Sequence, residues 1–342
     1  MTTWLETLSQ QGVLLNESNQ LASVPAATGN TRVIPLLHYG LLSVTGPDAE
    51  KFLQGQLTCD VSEAVTAGSR LAAHCNIKGH MNTLFRLISV DDQFWLRCNE
   101  ELLEDTLNGL KKYIIFSKAE IAVSSDNLVG LGLTGKGATS LVERLGGQVP
   151  SEASGRYHHE NLTIIRISKD CFEAWLPESD AIKQLPSLLE DAPLGDRNDW
   201  QLALIQAGVA ELSQNQVAEF IPQMLNLQAL DGVSFTKGCY TGQEIITRLQ
   251  HRGILKRPMY RARINTQNAP QSGDNLHTAS RANAGVIVNV ASCGDNEYEL
   301  LAVAVKEKVD QEPLLQDREQ GPELTILDLP YTIDPALFEA KR

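Results

Sequence analysis

The hydrophobic pattern changes period along the chain, and the changes mark elements. Residues 41–45 read as a strand, and Gly46-Pro47-Asp48 then opens a helix to about Gln56, with proline and an acid in its first turn. Residues 81–90 and 93–98 read as two strands joined across Asp91-Asp92, a hairpin signal. Leu102, Leu103, Leu107 and Leu110 recur at helical spacing within 99–113, and a short strand over 120–123 follows.

The same order then recurs. Residues 128–133 are strand-like and lead through Thr134-Gly135-Lys136-Gly137-Ala138 into an amphipathic helix to about Leu145. The earlier unit has Thr45-Gly46-Pro47-Asp48-Ala49 at that place. In both, two apolar residues stand three and four positions after the alanine: Phe52-Leu53 and Leu141-Val142. Residues 162–167 and 172–176 form a second hairpin candidate, with a helix over 178–185 that should stop before Pro186. Two βαββα units fit a pair of ferredoxin-like halves, an α+β arrangement of helices against antiparallel sheets. A further helix is expected over 199–207. From Pro258 onward, β-rich runs at 259–264, 286–290, 297–305 and 324–327 alternate with turns such as Gln271-Ser272-Gly273-Asp274, which reads as a C-terminal small β-barrel.

One motif is a decoy. Gly130-Leu131-Gly132-Leu133-Thr134-Gly135 matches a dinucleotide-binding glycine pattern, but its glycines fall inside the strand rather than after it. Gly137 also stands where a phosphate loop needs Ser or Thr for magnesium.

At 342 residues the chain is long enough for two or three domains. The N-terminal residues lack a basic region followed by an apolar core, and no stretch approaches eighteen uninterrupted apolar residues, so a cytoplasmic protein with no membrane partner is expected. Forty-two acidic against 29 basic side chains give a net charge of −13, which opposes non-specific attraction to nucleic acid. The run 248–263, RLQHRGILKRPMYRAR, breaks that trend with six Lys/Arg and no acid. It reads either as a solvated face or as an anion-facing stripe, built on Arg248, Arg252, Lys256 and Arg257, for a polyglutamyl tail or a phosphate backbone.

The six cysteines (Cys59, Cys75, Cys98, Cys171, Cys239 and Cys293) have no zinc or ferredoxin spacing, so no resident metal site is expected. Cys239 differs in its setting. Lys237-Gly238-Cys239-Tyr240-Thr241-Gly242-Gln243-Glu244 places the thiol beside a lysine and just ahead of a helical run, 243–249. Dipole and charge there favour a thiolate, so Cys239 is a candidate nucleophile, redox centre or transient metal ligand. The bland alternative is a small buried hydrophobe.

That octapeptide resembles the signature of the YgfZ family. Phe220-Ile221-Pro222-Gln223 with 226–230, 53–58 with Asp60-Val61, Ala72-Ala73-His74-Cys75 with Lys78-Gly79, and Leu110-Lys111-Lys112-Tyr113 with Phe116-Ser117-Lys118 are also similar to that family, in order, over about residues 35–257. The resemblance implies a GcvT-like fold, that of the glycine-cleavage T-protein, with three domains around a central folate pocket. The domain boundaries expected from it are 1–125 with 195–254, 126–194, and 255–342. It implies tetrahydrofolate or a related folate as cofactor, a required signature cysteine, and iron–sulfur enzymes or cluster carriers as partners. Radical enzymes that methylthiolate tRNA are among those partners, so contact with tRNA is expected to be indirect. By position, Tyr39 and Trp200 resemble the family's folate-contacting aromatics, and Gln206 stands where relatives carry Glu. His74 and Cys75 are additional candidates near the pocket.

The related aminomethyltransferases carry an aspartate on the strand after the equivalent of Lys78-Gly79. Here that stretch, Met81-Asn82-Thr83-Leu84-Phe85, holds no acid, which disfavours the transfer reaction. An accessory factor is therefore expected ahead of an aminomethyltransferase or a tRNA-docking protein.

Overall fold

The structure, a computed structural model, describes residues 2–26, 28–124, 127–317 and 321–339. Helix α1 (Trp4–Gln10) starts at a capping box between Thr3 and Glu6, and β1 (Leu14–Leu15) and β2 (Leu21–Ser23) form a small ribbon after it. The chain continues through β3 (Arg32–Pro35), β4 (Tyr39–Thr45), α2 (Ala49–Gln56), α3 (Val61–Ala67) and β5 (Ser69–Cys75). Next come β6 (Met81–Val90), β7 (Gln93–Asn99), α4 (Leu103–Ile114) and β8 (Glu120–Val123). The second round is β9 (Leu128–Thr134), α5 (Ala138–Arg144), β10 (Arg156–His159), β11 (Leu162–Ser168), β12 (Cys171–Pro177) and α6 (Glu178–Asp191).

These strands form two five-stranded sheets of matching order, β5-β6-β7-β4-β8 and β10-β11-β12-β9-β3. The first sheet contains one strand more than expected, β5, and the second contains two, β10 and β3; β8 and β3 complete the two sheets at one edge. The glycines of the two repeated turns explain their recurrence. Gly46 (φ 101°) and Gly135 (φ 91°) both sit in the left-handed region, and each closes a turn onto the following alanine, Ala49 N to Gly46 O at 3.0 Å and Ala138 N to Gly135 O at 2.9 Å. A Cβ on Gly46 would lie 2.5 Å from Lys118 O, and one on Gly135 2.0 Å from Asn30 O. The segment leading into the edge strand crosses the glycine in both halves.

Helix α6 corrects one expectation. It runs on to Asp191 with Pro186 inside it. Pro186 stands on the exposed face, where a freed carbonyl can be hydrated, while Leu185 and Leu188 are fully buried on the other side. They join Leu131, Leu133, Leu141 and Phe172 in the core of the second sheet, and truncating such a leucine costs about 2–5 kcal/mol. The glycine decoy is also accounted for: Gly130 and Gly132 lie within β9, where a Cβ would meet Trp175 at 2.9 Å and Trp200 at 2.5 Å.

Helices α7 (Arg197–Gln206) and α8 (Gln243–Arg252) precede the C-terminal strands β13 (Met259–Asn265), β14 (Asn275–Leu276), β15 (Gly285–Gly294) and β16 (Glu297–Ala304), short helix α9 (Lys306–Val309), and β17 (Thr325–Leu327). Their order is β14-β15-β16-β13-β17, a curled half-barrel around Ala262, Ile264, Ile287, Leu300 and Leu314. The chain divides into two compact units: Met1–Ala49, Ser62–Arg70 and Arg86–Ala203, and Glu50–Val61, Leu71–Phe85 and Leu204–Arg342. The boundary expected at 125/126 falls on residues outside those described.

Candidate functional site

The signature loop is anchored from below by one threonine and one lysine, all within the second unit. Thr58 Oγ1 donates to Gly232 O (2.6 Å) and accepts from Ala73 N (2.9 Å), while Ser234 N donates to Thr58 O (2.9 Å). Lys237 Nζ donates to Leu57 O (2.8 Å) and Cys59 O (2.7 Å), just past the last turn of α2, where the helix dipole favours a cation. It also stands 5.0 Å from the centre of the Tyr240 ring. Burial pulls the Lys237 amine down to about 8, with Cys59 and Asp60 acting in the opposite sense. The ammonium is thus held on backbone carbonyls beneath the loop.

From there the chain alternates. Tyr240 points inward, 7% exposed, with its hydroxyl buried and no hydrogen-bond partner among the described residues. Burial raises its phenol, and Cys75 and Cys59 act in the same direction. Cys239 points outward and is exposed, beside Gly238, around which a Cβ would meet open space. Cys59, Cys75, Cys98 and Cys171 are all buried, and Cys293 is half-buried. The alternative of a buried cysteine does not apply to Cys239.

Gly242 then turns the chain into α8. Its φ is 83°, and a Cβ there would lie 2.5 Å from Asn76 O and 3.1 Å from Gly79 Cα. Gly79, at φ 75°, receives Ile245 in turn, with 3.1 Å between the Ile245 Cβ and a Cβ at Gly79. Asn76 Oδ1 shapes that turn by accepting from Lys78 N (2.9 Å) and His80 N (3.2 Å). Buried Gln223 donates from Nε2 to Ile246 O (2.7 Å), and Gln243 N donates to Tyr240 O (3.2 Å). Blocks dispersed in sequence, at 57–59, 73–80, 220–223 and 232–246, therefore converge on one loop.

His74 and Cys75 lie in its buried wall. Burial takes His74 down to about 4 and Cys75 up to about 12, so both are neutral at physiological pH. A buried neutral imidazole is a poor source of charge for an exposed thiol.

Tyr39 and Trp200 are brought together in the first unit. Trp200 Nε1 donates to Tyr39 Oη at 2.7 Å, and Trp200 is fully buried over Gly132. The Tyr39 ring, 8% exposed, has the Arg97 guanidinium 4.0 Å from its centroid and the His38 ring at 4.1 Å. Arg97 donates to Glu173 from Nε (3.2 Å) and Nη2 (3.0 Å), and Trp175 Nε1 donates to the same carboxylate (2.7 Å). Arg86, 2% exposed, is lowered to about 10 by burial and then by Arg97. Trp200 thus holds the Tyr39 hydroxyl from within the core. Gln206 closes α7 and is exposed. Sequence reading did not single out Arg86, Arg97 and Glu173, although each is a charge inside an otherwise apolar strand.

The basic run divides. Arg248 and Arg252 line an open cavity of about 760 Å³ with Gln243, Glu244, Thr247 and His251, and Arg248 is ion-paired to Glu244. Lys256 is exposed and Arg257 half-buried. Arg261 and Arg263 belong to the half-barrel, both bonded to the buried Glu299 (2.6 and 2.7 Å). Burial pushes the Glu299 carboxyl up, but those two arginines hold it below its ordinary value. On β6, Met81, Thr83, Leu84 and Phe85 are buried, with no carboxylate among residues 81–85. Among the described residues, no group of three or more His, Cys, Asp or Glu is placed to hold a metal ion, and no helix is long and apolar enough to cross a membrane.

No protein-family model matches the chain. The tRNA-modifying protein YgfZ of Aliivibrio fischeri is 33% identical over 345 residues, covering 98% of this chain and 99% of the relative. The chain belongs to the YgfZ family. YgfZ proteins of Pectobacterium carotovorum (33% over 306 residues) and Photobacterium profundum (34% over 309) each cover 88% of this chain and are covered over 92% of their own length. The chain also has the fold of the glycine-cleavage aminomethyltransferase T of Bartonella henselae, with a TM-score of 0.74 over 96% of this chain and 97% of that one, at 17% identity.

Proposed function

We propose that this chain serves tRNA modification as a folate-binding accessory protein that sustains iron–sulfur enzymes, including radical enzymes that methylthiolate tRNA, with Cys239 as its working thiol. The observation that carries the reading is the placement of Cys239: the signature thiol is exposed beside an unpacked glycine, on a loop whose flanking residues Lys237, Tyr240 and Gly242 are anchored. A purely structural cysteine needs no such mounting. The name carried by its relatives supports the tRNA part. The folate part rests on the family resemblance, which gives Tyr39, Trp200 and Gln206 as its contacts. Aminomethyl transfer is the poorer reading, because residues 81–85 offer no ionisable group.

The test is the methylthio content of tRNA in cells lacking the protein, complemented with wild type, Cys239→Ser or Cys293→Ser. Wild type and Cys293→Ser are expected to restore it and Cys239→Ser to fail. Equal rescue by all three would reduce Cys239 to a bystander. Equilibrium dialysis of the purified chain against tetrahydrofolate scores the cofactor separately, with Gln206→Ala expected to weaken binding.

A further inference from the structure

The turn after α4 carries a feature that packing does not explain. Phe116 is 91% exposed, Ile115 71% and Tyr113 47%, and Lys111, Lys112 and Lys118 are exposed around them. Residues 111–119 contain no acid, in a chain of net charge −13. The turn is firmly held. Ser117 N donates to Ile114 O (2.8 Å), Lys118 N to Asp48 Oδ2 (2.8 Å) and Asp48 N to Lys118 O (3.2 Å). Lys118 O also rests against Gly46, where a Cβ would approach to 2.5 Å. Phe116 is thus presented to solvent by a fixed turn, forgoing the burial that ordinarily stabilises such a side chain.

The fold does not require this. The corresponding helix of the second half, α6, ends in Glu190 and Asp191, both paired to Arg144, and is followed by buried Ala192 and Leu194. What distinguishes residues 111–118 is two aromatic rings among three lysines. Lysine is depleted in the cores of protein–protein interfaces, and membrane-surface anchors use the apolar face of an amphipathic helix, whereas Ile115 and Phe116 lie in the turn past the end of α4. Aromatic rings interleaved with cations are the means by which single-stranded nucleic acid is held, by base stacking and phosphate contact.

We propose that residues 111–118 bind an unpaired loop of RNA, with Phe116 and Tyr113 as stacking platforms and Lys111, Lys112 and Lys118 on the phosphates. This deepens the tRNA reading, on which its biological meaning rests, by giving the chain its own contact with the RNA.

The measurement is fluorescence of Phe116→Trp in the full chain, titrated with a stem-loop RNA copying an anticodon arm, with a fully paired duplex of equal length, and with anionic phospholipid vesicles. Quenching by the stem-loop alone is expected. In anisotropy with the same RNA, Phe116→Ala should weaken binding about tenfold, and the double variant Lys111→Gln/Lys112→Gln should flatten the log–log salt slope by about 1.4. Both variants should keep the wild-type denaturation midpoint, since the altered side chains are exposed. No quenching by RNA, equal quenching by the duplex, or quenching by vesicles instead would each overturn the proposal. The Cys239→Ser methylthio assay remains separate: failure to rescue there, with no RNA binding here, overturns this proposal and leaves that reading standing.

Discussion

The sheet β5-β6-β7-β4-β8 and the sheet β10-β11-β12-β9-β3 put corresponding strands in corresponding places, and the register agrees residue by residue where β4 meets β7 and β9 meets β12. Val44 faces Phe94 in one, and Leu133 faces Phe172 in the other. Counting along from those pairs, Trp95 corresponds to Glu173 and Arg97 to Trp175. The shared features, a left-handed glycine turn and an apolar strand pair, are those the architecture demands. The differences mark other demands. One half supplies Arg86 and Arg97 and the other supplies Glu173, so the copies are fastened by opposite charges rather than by identical surfaces. One half ends its last helix in lysines and exposed rings, the other in paired acids and buried leucine.

The largest expected effect is at the charge that the second half supplies. Glu173→Gln leaves Arg97 buried without its carboxylate and should lower unfolding stability by about 3–5 kcal/mol in guanidinium denaturation. A loss below about 1 kcal/mol would mean that the halves are held by apolar packing alone. Next come the twin turns. Gly135→Ala and Gly46→Ala should each cost about 3 kcal/mol, from the left-handed backbone and the collision with a carbonyl. If only one variant is destabilised, the two turns are not equivalent. The smallest effect concerns acid. In β5 of the first sheet, burial holds His74 down at about 4, from an ordinary value of 6.5. The unfolded chain therefore binds a proton that the folded one refuses, and stability falls as pH drops from 6.5 towards 4, by about 2 kcal/mol at pH 5. His74→Asn should flatten that limb of the stability profile.

Much of the frame was legible because it rests on local chemistry. The Asp91-Asp92 hairpin is visible as a turn between apolar runs, and Asp91 indeed takes a φ of 48°. The repeat was legible from Gly46 and Gly135 for the same reason. What escaped was non-local. Arg156-Tyr157-His158-His159 has no apolar alternation, and β10 exists because β11 offers it an edge. Pro186 reads as a stop until burial of Leu185 and Leu188 outweighs the lost hydrogen bond. At the site, the octapeptide announced Cys239, but the thiol's exposure and the inward turn of Tyr240 depend on Thr58, Asn76 and Gln223 from distant segments. The inward-facing charges were visible only as interruptions of apolar strands, a signal that does not name its partner.

The edge strand β3 has a consequence for how the protein is made. It pairs with β9, which the ribosome reaches only after the whole first sheet has been synthesised. Val33 and Ile34, fully buried in the finished protein, must therefore wait as an unpaired apolar ribbon while a near-copy of their future partner, β4, emerges directly behind them. The nascent chain has to refuse a pairing close at hand in favour of a later one. A chain released before β9 would carry that ribbon uncovered, as a natural handle for chaperones and a seed for misassembly between molecules.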